Sequence, residues 1–503
     1  MRELNEDVLR HVVRYISSDT LDRINSCHPI FYEEWMKARY ATLVFSKRDK
    51  EMKRLFEHLR EPHVAMHVKH LIMRPWLVQP RTKSPRSRTE NLIVRFLELL
   101  DPHYTKKKAE QRLQKRLRKD ITNVTTAFQH MTKLEDYTLE WDDSRGFHPE
   151  FYKEFLAPAL ESWSSHLLKL TLKVPPAMLS ALGHVRLPKL ETLVFHFSTS
   201  ALPSKDIDSQ YEGFVVFVNN LKDSLSSLSL LSSNTCRELD ISRMFSKLGS
   251  FPALRKVALS IPFDGAHLSD PQMFVKFLEK HRLSIKELDI SATRCTPRST
   301  PGDPEYHNWV QRIIGSLNTP FPHLSSFALA LRPLRAPLDV LIHFLDMHSS
   351  TLDTLKLTDR VLSVVELREI FLSLSGSALI PTITSLQVKL DEFSSTSLAQ
   401  IALLFQDLKS LKIECAQDPS RQREVNIRKR GVVSTQIFLC KHSTHSFVRQ
   451  TEFSANLKEN HEAFRLWNLQ HLAIAPSEYH WARIVEKDLM GCMPDLTITD
   501  FDV

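Results

Sequence analysis

The chain has 503 residues, 42% apolar and 25% charged, an ordinary globular composition long enough for two or more domains or one elongated array. Ten glycines leave little material for phosphate-cradling loops or nucleophile elbows, and no stretch approaches the ~20 apolar residues of a membrane span. The net charge of +8 is concentrated: residues 81–119 carry 13 Lys/Arg against four Asp/Glu, and the remainder is close to neutral. The six cysteines (Cys27, Cys236, Cys295, Cys415, Cys440 and Cys492) are scattered without a CxxC pair, which reads as reduced thiols of the cytoplasm or nucleus. Charged residues from Arg2 to Arg10 interrupt any secretory leader at this end.

Residues 1–45 read as a small helical module. Val8, Leu9, Val12, Val13 and Ile16 share one helical face, with Asn5 as its cap and Glu6 and Asp7 in the first turn, where the macrodipole favours acids. A second helix follows Ser18 and Asp19 and carries Leu21 and Ile24; Pro29 starts a third with Phe31, Trp35 and Met36. So few residues close little core, so this module must pack on the rest of the chain, on another protein, or on both.

The stretch resembles an F-box at Leu4, Asp7, Val8, Leu9, Val12, Val13, Ile16, Leu21, Ile24 and Cys27; the family's proline is Asn5 here, and its aromatic is displaced to Phe31. The resemblance implies that Leu4, Val8, Leu9, Val12, Val13, Ile16, Leu21 and Ile24 dock on the Skp-type adaptor of an SCF-type ubiquitin ligase. The other reading is an N-terminal cap, which repeat arrays require.

Residues 46–130 read as a linking and capping region. Positions 74–90 are rich in Pro, Ser and Arg and read as a loop. Leu92, Phe96, Leu99 and Leu100 suggest a helix. Lys106, Lys107 and Lys108 open another, with Ala109, Leu113, Leu117, Ile121, Val124 and Phe128 as a narrow apolar stripe ringed by Arg112, Lys115, Arg116, Arg118 and Lys119. The plain reading is a helix with a solvated basic back. A nuclear-import signal, or a site for an acidic partner or nucleic acid, are the alternatives, and the lack of interleaved aromatics disfavours base stacking.

Residues 131–475 repeat one phrase, apolar-x-x-apolar-x-apolar. It occurs from Leu134, Leu167, Leu190, Leu225, Leu254, Ile285, Leu324, Leu352, Ile383, Leu408 and Leu469, with a weaker copy from Val68. Between Leu134 and Leu408 the steps run from 23 to 39 residues; the 61 residues before Leu469 leave room for one degenerate copy. Most phrases follow an amphipathic helical stretch, such as Phe214, Phe217, Val218 and Leu221, or Leu367, Ile370, Phe371 and Leu374. Each unit therefore reads helix, loop, strand. Residues 476–503 read as a C-terminal cap.

This pattern resembles the leucine-rich-repeat superfamily in its irregular, helix-bearing form, though the asparagine that normally follows the phrase is mostly absent. Together with the head it looks like the large fungal families of F-box/leucine-rich-repeat proteins. The fold class expected is α/β: a right-handed curved stack with a parallel sheet on the concave side, helices on the convex side, and a small α-helical F-box-like module in front. Period-two alternation sends the intervening residues to the concave face. The candidate substrate-binding set there is Lys173, His196, Lys256, Asp289, Lys356, Gln387, Lys389, Lys412 and Glu414. Mixed small and polar residues suit a protein ligand held by many modest contacts, not a small molecule in a pocket; nucleic acid and membrane are not expected partners.

No catalytic set, cofactor motif or metal site is expected. His63, His67 and His70 are broken up by Pro62 and the phrase at Val68. Cys440, His442 and His445 make half a zinc site, and His461-Glu462 lacks the second histidine of a zinc-protease helix. Loops at 293–305 and 416–431 interrupt the repeats as insertions that solenoids tolerate, and sometimes use for binding. The expected function is a non-catalytic scaffold, either a ligase substrate receptor or a free-standing interaction protein.

Overall fold

The computed structural model describes residues 5–46, 50–78, 104–141, 153–197, 207–233, 239–293, 308–334, 338–375, 382–390, 395–415, 467–475 and 496–500, with single positions between 455 and 465 and between 489 and 493. The chain divides into two compact units, Met1–Leu239 with Lys247–Ala253, and Asp240–Ser246 with Leu254–Val503.

In the first unit the three head helices are α1 (Glu6–Val13), α2 (Ser18–Ile24) and α3 (Pro29–Tyr40). Strand β1 (Thr42–Val44), helices α4 (Lys50–His58) and α5 (Pro62–Ala65), β2 (His70–Met73), α6 (Pro75–Val78) and the long α7 (Tyr104–His130) follow. Then come β3 (Asp136–Glu140), α8 (Ala157–Ser162), β4 (Lys169–Val174), a 3-10 helix (Pro176–Leu182), β5 (Thr192–Phe197), α9 (Ile207–Asn219) and β6 (Ser227–Ser232). Every strand pairs parallel with the next from β1 to β6.

The second unit repeats the arrangement: α10 (Ser242–Lys247), β7 (Lys256–Pro262), α11 (Pro271–Lys280), β8 (Glu287–Thr293), α12 (Trp309–Ser316), β9 (Ser326–Ala330) and α13 (Asp339–His348). It continues with β10 (Thr354–Thr358), α14 (Val364–Ser375), β11 (Ser385–Leu390), α15 (Ser395–Leu404), β12 (Ser410–Cys415), β13 (His471–Ala475) and β14 (Thr497–Asp500). Here too each strand is parallel to its sequence neighbour. Parallel neighbours need a crossover between them, and the amphipathic helices supply it. Both units are leucine-rich-repeat-like stacks.

The phrase explains the burial. In β4, Leu170, Leu172 and Val174 are buried while Lys169, Thr171 and Lys173 are not. The phrase's leading residue, such as Leu167, Leu190 or Leu324, is buried just before its strand.

The two residues after that leading residue do a further job through the main chain. The Leu168 and Lys169 N–H groups both donate to Glu135 O (2.9 Å each), and the Glu191 and Thr192 N–H groups donate to Leu168 O (2.9 and 3.0 Å). In the second unit Lys286 and Glu287 donate to Arg255 O, Ser325 and Ser326 to Lys286 O, Asp353 and Thr354 to Ser325 O, and Thr384 and Ser385 to Asp353 O. Each carbonyl uses both lone pairs, and each first donor residue passes its own carbonyl to the next strand. This relay fixes the register at the strand starts through main-chain groups.

The relay also settles the 61-residue step. Lys409 O accepts from Gln470 and His471, and Ser410 pairs with His471, so β12 and β13 are direct neighbours and no degenerate copy stands between them. The strand series also extends beyond the phrases found in the sequence. β1 carries Tyr40-x-x-Leu43-x-Phe45 and β14 carries Met493-x-x-Leu496-x-Ile498, both led by a residue other than Leu or Ile.

Of the stripe expected of helix α7, Leu117, Val124 and Phe128 are buried and Leu113 and Ile121 half-buried, with Ala127 buried beside them; the side chains of Lys106, Lys107, Lys108 and Ala109 lie outside the described residues. Phe128, Phe155, Tyr137 and Trp163 pack edge to face, with the Trp163 indole N–H donating to Phe128 O (3.0 Å) and the Tyr137 hydroxyl to Phe155 O (2.8 Å). Between α9 and the 3-10 helix the backbones approach closely: a Cβ on Gly213 would lie 2.6 Å from Ser180 Cα and 2.7 Å from Leu179 O. Among the described residues no helix is long and apolar enough to cross a membrane.

Candidate partner-binding surfaces

Two surfaces present side chains that the packing does not consume. The first is the head. Asn5 caps α1, its Oδ1 accepting from the Asp7 N–H (3.1 Å); Ser17 caps α2 through the Thr20 N–H, and His28 Nδ1 caps α3 through the Ile30 N–H (3.2 Å). Val13, Leu21 and Ile30 form a small core, with Leu9, Ile16, Ile24, Phe31 and Trp35 partly buried against it.

Arg10 reaches Glu33 (3.1 Å) and Glu34 (3.4 Å), and Lys37 reaches the same pair (2.7 and 2.9 Å), tying α1 to α3. The Lys37 hydrogen bond, with help from Arg10, holds the Glu33 carboxyl below its usual range against the cost of burial.

The wide apolar face read from the sequence splits in two. Leu9, Val13 and Ile16 turn inward at i, i+4, i+7, whereas Val8, Val12 and Tyr15 follow the same spacing outward. Val8 is 47% and Val12 43% exposed, Tyr15 is more open still, and Tyr32 on α3 is exposed as well. Of the adaptor-binding candidates, then, Val8 and Val12 face solvent, Leu9, Val13, Ile16, Leu21 and Ile24 build the head's interior, and Leu4 lies outside the described residues. Tyr15 was missed; its i+7 spacing from Val8 was the available signal.

The second surface is the solvent face of the strands. In the first unit Lys173 on β4 and His196 on β5 are register partners, and Glu140 precedes them on β3 with Arg74 at 2.6 Å. Burial and the Lys173 ammonium push the His196 imidazole below its ordinary value, with Glu140 opposing. In the second unit Lys356, Gln387 and Lys412 occupy one row on β10, β11 and β12. Asp289 joins that row from β8 across Ala328. Burial raises the Asp289 carboxyl, against the Ser291 hydroxyl and the charges of Lys356 and Lys256.

Lys389 and Glu414 are register partners joined as an ion pair, and Lys256 pairs with Glu287 at 2.7 Å in the row nearest the strand starts. The structure thus brings together Lys173 with His196, Asp289 with Lys356, Gln387 and Lys412, and Lys389 with Glu414. Arg74, Glu140 and Glu287 join these rows without having been singled out, because register between strands is not visible in one strand's spacing.

Among the described residues no three His, Cys, Asp or Glu side chains gather as a cation site. Of the histidines weighed, His63 lies in α5 and His70 in β2. Cys440, His442, His445, His461-Glu462, Leu92, Phe96, Leu99, Leu100 and most of the loops at 74–90, 293–305 and 416–431 lie outside the described residues.

No family model and no curated protein matches the chain. Among solved structures it is similar to one described as "Crystal structure of TLR13-ssRNA13 complex", at 13% identity over 59% of this chain, with a TM-score of 0.23. The match takes in 47% of that solved chain, about half its length.

Proposed function

We propose that the chain is a non-catalytic protein-binding scaffold, the substrate-recognition subunit of an SCF-type ubiquitin ligase. In this reading the head docks on the Skp-type adaptor, and the solvent face of the strands holds the substrate protein. The observation that carries it is the outward pair Val8 and Val12 on α1, continued by Tyr15 in the turn that follows, on an element whose inner side chains already fill the head's core. Apolar side chains at helical spacing, left in water beside a closed core, are what a groove-binding partner covers. For the substrate, Lys173, His196, Lys256, Asp289, Lys356, Gln387, Lys389, Lys412 and Glu414 supply mixed charge in rows, which favours register and selectivity over raw affinity.

A second reading is favoured by one feature. Helix α3 runs directly into β1, Tyr40 is buried, and Ala41 O starts the main-chain relay by accepting from Lys69 and His70. That is how a cap for a free-standing scaffold is joined.

A pull-down with purified Skp-type adaptor separates the two. Val8→Asp with Val12→Asp leaves the head's core intact, so thermal stability stays within about 0.5 kcal/mol of wild type while adaptor capture is lost. Wild-type protein that captures no adaptor overturns the ligase reading and leaves the cap.

A further inference from the structure

Helix α7 carries an exposed line of cations. Arg112, Lys115, Arg116 and Lys119 are spaced i, i+3, i+4, i+7, so they share one face, opposite the buried Leu117, Val124 and Phe128. All four are exposed, and among the described residues none forms an ion pair. Some other cations of the same unit do meet carboxylates: Lys37 with Glu33, Lys69 with Glu135, Lys169 with Asp136, and Arg74 with Glu140. The acids of α7 are Glu110 and Asp120 alone.

Four like-charged pairs result, Arg112–Lys115, Arg112–Arg116, Lys115–Lys119 and Arg116–Lys119, and each destabilises the helix. A solvated helix face has no need of that cost, since glutamates at two of these positions would remove it. The cost is returned when an anionic partner arrives.

We propose that this stripe docks an acidic segment of a partner protein, a run of Asp and Glu held by charge. A nucleic acid fits less well. Residues 110–126 include no aromatic side chain to stack on a base, and α7 lies against α4, α5 and α8 instead of projecting into a groove.

The test uses the full chain and a fluorescein-labelled oligoglutamate, read by anisotropy. Wild type binds it, more weakly as salt rises, and Arg112→Gln with Lys115→Gln, Arg116→Gln and Lys119→Gln weakens binding at least about tenfold. Lys69→Gln, a change at a paired cation elsewhere, leaves binding unaltered. The quadruple variant melts at or above the wild-type temperature, because repulsion has been removed; should it fail to fold, Arg112→Gln with Lys119→Gln gives the same reading at about threefold. The proposal is overturned if wild type ignores oligoglutamate at low ionic strength or if the variants bind it equally. It is also overturned if oligouridylate or duplex DNA outcompetes oligoglutamate at the same four residues.

Discussion

His348 ends α13 fully inside the second unit. Its Nε2 accepts from the Phe321 N–H (2.9 Å), so Nδ1 carries the proton and donates to Phe344 O (2.7 Å). His281 repeats the device at the end of α11, with Nδ1 at 2.8 Å from Phe277 O. Burial pushes both imidazoles below their ordinary value, against those backbone bonds. A histidine whose folded value lies beneath its unfolded one lets the unfolded chain take up protons first. Stability is therefore full above about pH 6.5 and declines as pH falls toward the folded values, by up to ~1.4 kcal/mol per pH unit for each histidine. Asp240 and Glu366, whose carboxyls hydrogen bonding holds low despite burial, lose their contribution only in more acid solution. Thermal midpoints measured from about pH 7.5 down to about pH 5.5 should fall, and His281→Gln with His348→Gln should flatten the curve. A wild-type midpoint that holds steady or rises over that interval would refute the assignment of neutral histidines.

At the scale of the element, the strand start is defined by main chain, and this sets what mutation can do there. The Lys286 side chain is exposed, while its N–H donates to Arg255 O (2.7 Å) and its carbonyl accepts from Ser325 and Ser326. Lys286→Ala should be silent, within about 0.5 kcal/mol, whereas Lys286→Pro removes the donor and should cost about 3 kcal/mol or more in urea unfolding. Equal effects of the two would mean that the side chain, not the relay, matters. The same distinction explains what the sequence disclosed. Leu at fixed spacing marks the strands, and the helix stripes mark the crossovers, so β3 to β13 were legible, and β2 more weakly through Val68, Leu71 and Met73. β1 and β14 escaped because Tyr40 and Met493 fill the leading position, and a search tuned to Leu and Ile passes over them. The inward and outward stripes of α1 were also indistinguishable, since Val12 and Val13 differ only in which side the rest of the head occupies.

At the scale of the whole molecule, the sheet of the first unit begins with a strand of three residues, β1, which the head's α3 enters directly through the buried Tyr40. Removing residues 5–40 takes away Tyr40, the buried leading residue of the first phrase, and loosens β1, which pairs with β2 on one side; a loosened terminal strand is the arrangement that recruits other chains. The truncated protein should elute as aggregate in size-exclusion chromatography while the full chain does not, and a truncated chain that stays monodisperse would remove the capping role. The charge rows of the two units were beyond the sequence for a different reason. Lys389 and Glu414 are 25 residues apart along the chain, yet they face each other because one strand is registered on the next. That registration is enforced by peptide groups, which every residue but proline brings identically. The architecture thus constrains an interval and hardly any lettering. Descendants of one ancestor can rewrite two positions in every three at a strand start and still assemble alike, while comparison by residue identity loses them.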